Sequence, residues 1–186
     1  PIIGLLPGSR ADEVKRILPT LLLSVRAFDD AQCVLALSSN LDRSIVEEAV
    51  ERLLSRVRIV TGMTYEAMGC SDLLLVASGT ATLEAAVLST PMIIVYRVSL
   101  LSWIIAKFLV KTAHIGLVNL VAGRGVVPGF SQFRAASRRL SSAIGELLED
   151  RARRESMAFE LKRVRELLGE RGATERAARI VVEMLQ

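Results

Sequence analysis

Three short runs of this chain concentrate residues able to do chemistry. The first is Leu6-Pro7-Gly8-Ser9-Arg10. A strand ending in Pro-Gly-Ser frees backbone N–H groups at the carboxyl edge of a sheet, where open α/β folds bind their ligands. Arg10 adds a forked donor suited to phosphate. The run is neither a Walker loop nor a GxGxxG fingerprint, and a capped turn with a solvated Arg explains it equally well. The second run, Ser78-Gly79-Thr80-Ala81-Thr82-Leu83-Glu84, is the stronger signal. Small residues and hydroxyls stand where the N–H groups of a starting helix are unpaired, which makes an anion site. Thr80 and Glu84 share a helix face, so a phosphate at the helix start would leave Glu84 to accept hydrogen bonds from sugar hydroxyls. The competing reading is an N-cap with a surface Glu. Against it, a carboxylate inside the apolar Leu83–Leu88 run is costly unless it is paired.

The third run is Asn119-Leu120-Val121-Ala122-Gly123-Arg124, which offers an amide, a glycine for close approach and a guanidinium. An ordinary loop with Asn and Arg facing water is the simpler account of it. Tyr96-Arg97 is similar. Brought to one edge, the arginine-bearing segments at Arg10, Arg97 and Arg124 would form a site for a phosphorylated ligand. No nucleophile–base pair is visible, and the single histidine, His114, suits a loop or packed position better than a general base. Two cysteines, Cys33 and Cys70, have no metal-ligand spacing, so no metal is expected.

These runs need elements to hold them. Near-continuous apolar stretches at Ile2–Leu6, Cys33–Leu37, Val57–Val60, Leu73–Ala77 and Met92–Tyr96 suit parallel strands covered on both faces. Helical patterns lie between them. One spans Glu13–Phe28, with Pro19 placed to start a second helix. Another spans Leu41–Leu54, with Asn40 as its cap. Tyr65–Met68 is short, and Thr80–Leu88 is better defined. Such alternation predicts a doubly wound, Rossmann-like α/β sheet. An apolar helix over Leu100–Val110 and an irregular stretch over His114–Gln132 follow. The tail is expected to be helical at about Ala135–Leu148, Arg151–Leu168 and Thr174–Leu185. The whole chain, 1–186, is expected to be one domain with 134–186 as its helical tail.

Composition narrows the function. The 186 residues are 51% hydrophobic and 24% charged, which excludes a disordered chain. The net charge of +4 invites an anionic partner. However, 12 of the 24 Lys and Arg fall from Arg134 onward among 9 acidic residues, the pattern of solvated helix faces. With only eight aromatics as well, nucleic acid is not an expected partner. The run Val98–Val110 is too short to span a bilayer, which takes about 20 apolar residues. It suits a buried helix or partner face. As an interfacial segment it would place Trp103 and Phe108 at the lipid boundary and Lys107 and Lys111 at anionic headgroups. The chain starts at Pro1 inside a strand-like run, which suggests a piece of a longer protein.

Taken together, LLPGSRADEVKRILPTLL, ASGTATLEAAVLSTPMIIVYR, FLVKTAHIGLVNLVAGRGVVPGFSQ and the basic tail resemble the C-terminal half of the lipid-A-disaccharide synthase family, over almost the whole chain. The resemblance implies a GT-B glycosyltransferase whose donor-binding domain is the part in hand. The full enzyme would transfer a diacylglucosamine from its UDP derivative to diacylglucosamine 1-phosphate, releasing UDP, with no metal or other cofactor. It implies a bacterial cytoplasmic protein, peripheral at the inner membrane, whose acceptor site and general base belong to an N-terminal half. A homo-oligomer is compatible with it.

Residue by residue, Ser9 and Arg10 would meet the UDP part. Ser78, Gly79 and Thr80 would lie at the diphosphate, Glu84 at the ribose, and Asn119 and Arg124 would line the donor site. Val118 stands where the family usually has Pro, and Gly125 and Gly129 replace larger, often charged residues. Other readings are a different UDP-sugar transferase or an epimerase with the same donor site. From another class, a non-catalytic membrane-surface module would use Leu100–Val110 for docking.

Overall fold

Five of the apolar runs fold as strands close to their predicted bounds: β1 (Ile2–Leu6), β2 (Gln32–Leu37), β3 (Arg58–Thr61), β4 (Leu73–Ala77) and β5 (Met92–Tyr96). A sixth, β6 (Gly129–Ser131), lies in the stretch expected to be irregular and pairs with β5 through Ile94, Val95 and Tyr96. The structure, a computed structural model, describes residues 1–54, 56–97, 116–131, 137–170 and 172–184. The helix expected over Leu100–Val110, and with it Trp103, Lys107, Phe108, Lys111 and His114, lies outside the described residues.

The strands form one sheet in the order β3-β2-β1-β4-β5-β6, and every neighbouring pair is parallel. Helices cover both faces: α1 (Ala11–Val25), α2 (Ser44–Leu54), α3 (Thr64–Cys70) and α4 (Ala81–Val87) each connect successive strands. Right-handed crossovers place α1 and α2 on one face and α3 and α4 on the other. Burial on both faces explains why every residue of β4 is buried. The chain winds outward from β1 to β3 and then restarts at β4 in the opposite direction. A crevice opens at the carboxyl ends of β1 and β4, where the winding reverses.

Two local expectations need correction. Pro19 does not start a second helix, since α1 runs through it without interruption. An interior Pro costs about 3 kcal/mol. Ile17, Leu18, Leu21 and Leu22 around it are fully buried. Each of them is worth about 1.5–3 kcal/mol, so burial outweighs the ring. Nor does Asn40 cap α2. That helix begins at Ser44, and the Asp42 carboxylate accepts the Ser44 N–H at 2.8 Å. This hydrogen bond holds the Asp42 carboxyl below its ordinary range.

Beyond β5, a short helix α5 (Leu117–Ala122) and then β6 complete the sheet side. The expected tail is present as α6 (Ser137–Glu149), α7 (Arg151–Leu167) and α8 (Ala173–Met184). Helix α6 packs on α1 and buries Leu140, Ile144 and Leu147. On the opposite face, α7 packs on α4 and α5 and buries Met157, Leu161 and Val164. The tail therefore clamps both faces of the sheet, while α8 buries none of its residues.

Candidate functional site

The crevice between β1 and β4 holds a cleft of about 360 Å³, and the first two sequence runs meet there. Gly8, Ser9 and Glu13 come from the turn after β1 and the first turn of α1. Ser38 follows β2, Thr64 and Tyr65 start α3, and Ser78 to Ala81 with Glu84 come from the start of α4.

The turn after β1 depends on its glycine. Gly8 has φ +114°, a region that side chains disfavour. A Cβ at this position would also lie 2.1 Å from Glu13 Oε2, because the Glu13 carboxylate rests against the Gly8 backbone. Across the cleft, the Ser78 N–H donates to the Val95 carbonyl at 3.0 Å, tying the run to β5. The first helical bonds of α4 run from the Thr82 N–H to the Gly79 carbonyl at 3.2 Å and from Leu83 and Glu84 to the Thr80 carbonyl at 2.9 and 3.2 Å. The Thr82 hydroxyl donates to the Gly79 carbonyl at 2.8 Å. The N–H groups of Gly79, Thr80 and Ala81 precede those bonds and belong to the orphan donors of a helix start. Thr80 occupies the N-cap position but makes no side-chain cap bond. The simple cap reading of this run therefore fails, and the Thr80 hydroxyl is left to the cleft.

Glu84 lines the same cleft one turn into α4, half-buried, and forms neither a hydrogen bond nor an ion pair through its carboxylate among the described residues. The cleft thus combines two carboxylates, several hydroxyls and a helix start, and among the described residues no Lys or Arg lines it.

Ser9, Ser78, Gly79, Thr80 and Glu84 are therefore brought together, and the remaining expected residues are dispersed. Arg10 is exposed at the N-cap of α1, adjoining Ser9 without lining the cleft. Arg97 donates to the Thr20 hydroxyl in the middle of α1. Arg124 pairs with Glu160 of α7, which also lies 3.6 Å from Arg163. The three arginine segments do not converge, because acidic and hydroxyl partners on the surrounding helices take two of them.

Asn119 is buried at 4% exposure. Its Oδ1 accepts the Val126 and Val127 N–H groups at 2.9 and 3.0 Å, and its Nδ2 donates to the Val127 carbonyl at 2.9 Å. The amide that resembled a ligand contact is committed to holding the 123–128 loop. Val118 is fully buried in α5. Gly129 pairs with Ile94 in the edge strand β6, and Gly125 is exposed.

Glu13, Ser38, Thr64 and Tyr65 line the cleft without having been singled out from sequence. Glu13 looks there like an ordinary first-turn acid complementing a helix dipole. Ser38 and Thr64 were recoverable as the hydroxyl residues that follow strands near the reversal point. Tyr65, with 59% of its surface exposed at the cleft mouth, had no sequence signal beyond its type. Among the described residues no cluster of three or more His, Cys, Asp or Glu is placed to hold a metal.

A doubly wound parallel sheet with its cleft at the winding reversal and a helical tail defines one lobe of a GT-B glycosyltransferase-type fold. WaaG, a glycosyltransferase involved in lipopolysaccharide biosynthesis, superposes with TM-score 0.67 at 16% identity, over 96% of this chain and 46% of that one. The UDP-GlcNAc 2-epimerase from Neisseria meningitidis, solved with UDP-GlcNAc bound, gives TM-score 0.59 at 18% identity, over 99% of this chain and 44% of that one. At such identities the likeness is one of fold.

Residues 1–183 match the family model described as lipid-A-disaccharide synthetase, and the chain belongs to that family. It is 44% identical over 190 residues to the lipid-A-disaccharide synthase of Anaeromyxobacter sp. (strain K), covering 99% of this chain and 49% of the relative. With the enzyme of Syntrophus aciditrophicus (strain SB) it shares 39% identity over 189 residues, again over 99% of this chain and 49% of the relative. The chain spans about half the length of these relatives.

Proposed function

We propose that this chain is the donor-binding part of a transferase that moves a diacylglucosamine from its UDP derivative to diacylglucosamine 1-phosphate. The observation that carries the reading is the meeting of the Gly8-Ser9 turn with the Ser78-Gly79-Thr80 helix start and Glu84 in one cleft. Family membership supports the substrate class. The N–H groups of Gly79, Thr80 and Ala81 and the Ser9 and Thr80 hydroxyls hold the diphosphate, and Glu84 accepts the ribose hydroxyls. Exposed Arg10 swings toward the phosphates from the adjoining turn. As the glycosidic bond breaks, negative charge grows on the departing UDP, and these fixed donors stabilise it more than they stabilise the ground state.

The chemistry is proposed to run without a metal, with the diphosphate charge met by these donors. Asn119 and Arg124 brace the 123–128 loop, none of whose residues lines this cleft, and neither contacts the nucleotide. The acceptor and the general base belong to the other half of the enzyme, so this part alone binds nucleotide and transfers nothing. Epimerases share the fold, as the Neisseria enzyme does, but the family match favours transfer.

The proposed setting is the cytoplasmic face of a bacterial inner membrane. Among the described residues no helix is long and apolar enough to cross a membrane. Peripheral contact is assigned to the Val98–Val110 run, with Trp103 and Phe108 inserting beside Lys107 and Lys111. Trp103→Glu should then reduce co-sedimentation with anionic liposomes, and equal pelleting would remove lipid from the proposal.

Calorimetric titration with UDP tests the donor site. The chain should bind UDP, Thr80→Ala should weaken binding roughly fivefold, and Glu84→Ala about tenfold or more, the effects of losing a neutral and a charged hydrogen bond. No binding at millimolar UDP would overturn the assignment.

A further inference from the structure

The cleft contains one carboxylate more than a nucleotide needs. Glu84 enters from α4, and Glu13 enters from α1, which covers the opposite face of the sheet. Both are half-buried, and neither carboxylate has a hydrogen bond or ion pair among the described residues. Glu13 rests on the bare backbone of Gly8, in space that any other residue would fill.

The simplest structural role leaves its direction open. A first-turn acid complements the α1 dipole from anywhere near the helix start. Among the described residues Glu13 makes no hydrogen bond to the free N–H groups there, and its carboxylate rests on Gly8 and lines the cleft. It is no phosphate ligand either, since two like charges about 4 Å apart repel by about 4 kcal/mol at an effective dielectric of 20. A carboxylate is an acceptor of hydroxyl and amide N–H donors.

The ligand class proposed above has a matching layout. A nucleoside-diphosphate sugar carries its charge in the middle and a hydroxyl-rich ring on each side. The cleft has its anion cradle at Gly79–Ala81 and two carboxylates, Glu84 on the cradle's own helix and Glu13 brought in from α1 against the Gly8 turn.

We propose that Glu13 is a specificity-determining residue that accepts hydrogen bonds from the hydroxyl or amide N–H groups of the donor's hexosamine, as Glu84 does from the ribose. This rests on the donor-site reading and deepens it. The two carboxylates then sort the ligand: one recognises a part shared by UDP and every UDP-sugar, and the other a part that only the sugar nucleotide has.

The test is a paired titration of the wild type, Glu13→Ala, Glu13→Gln and Glu84→Gln with UDP and with UDP-N-acetylglucosamine. Glu13→Ala should weaken the sugar nucleotide about tenfold, the cost of one hydrogen bond to a charged group, and leave UDP unchanged or slightly tighter. Glu13→Gln, which keeps an acceptor oxygen, should fall between Glu13→Ala and the wild type. Glu84→Gln should weaken both ligands by the same factor. Equal losses for both ligands in Glu13→Ala, or no loss for either, would overturn the proposal. If Glu84→Gln affects both ligands while Glu13→Ala affects neither, the donor site stands and the role of Glu13 alone is rejected. Wild-type protein that binds neither ligand removes the donor site and the proposal together.

Discussion

Asn119 shows how one residue type serves two different ends. In sequence its amide suits a ligand contact, yet the fold commits it to three hydrogen bonds with the backbone of Val126 and Val127. Asn119→Ala should therefore cost about 2–3 kcal/mol, because removing a buried amide strands its backbone partners. The check is the midpoint of urea unfolding, and UDP affinity measured on the folded variant should not change. The two cysteines separate in the same residue-level way. Burial in β2 pushes the Cys33 thiol above its ordinary pKa, an effect that Arg56 partly opposes, whereas Cys70 is exposed. Only Cys70 should react with a maleimide in native protein, and both should react after unfolding. Because the folded Cys33 holds its proton to higher pH than the unfolded one, its contribution to stability is constant below the ordinary thiol pKa. That contribution falls as pH rises through and beyond this value.

Elements were legible where a long period or run could average over single residues. Strands β1, β4 and β5 matched residue for residue, since uninterrupted apolar runs of five residues admit few alternatives in an α/β alternation. Strand β6 was not legible: Gly129-Phe130-Ser131 shows no period and gains its place by pairing with β5. For the same reason half the site could be read in advance. Ser9 and the Ser78–Glu84 run carry local signals, Ser38 and Thr64 only the weaker one of a hydroxyl after a strand, and Glu13 none. They join when the crossovers bring the ends of β1, β2, β3 and β4 together.

Element junctions carry their own energetics, and Arg56 is the clearest case. Its guanidinium donates to the carbonyls of Phe28 at 2.8 Å and Asp29 at 3.0 Å and to the Asp29 carboxylate at 2.7 Å. It also reaches the Val25 and Arg26 carbonyls at 3.4 Å. One side chain thus closes the C-terminal end of α1 and ties it to the segment before β3. Arg56→Met keeps the stem and removes these donors. It should lower stability by about 1–2 kcal/mol, given the partial exposure of the pair and the combined value of a helix-end cation and charge-assisted hydrogen bonds. A denaturant midpoint that stays at the wild-type value would show the network to be energetically idle.

At the scale of the whole molecule, the tail helices differ in kind. Helices α6 and α7 bury apolar residues against opposite faces of the sheet, so the fold depends on them. Helix α8 does not: Ile180, Val181, Val182 and Met184 are 58, 56, 55 and 81% exposed, and no residue of the helix is buried. Hydrophobic stabilisation scales with apolar area removed from water, about 25 cal/mol per Å², and α8 removes little within this chain. Deleting residue 173 onward should therefore leave the thermal midpoint within about 2 °C of the intact chain, given that about 1 kcal/mol moves a domain of this size by 2–4 °C. UDP affinity should be unchanged too, since no α8 residue lines the cleft. Cutting α7 as well, from residue 151 onward, should instead unfold the domain. That deletion strips Met157, Leu161 and Val164 from the face of α4, the helix whose first turn forms the proposed phosphate cradle. A large loss of stability from the shorter deletion alone would mean that α8 belongs to the folded core despite its exposure.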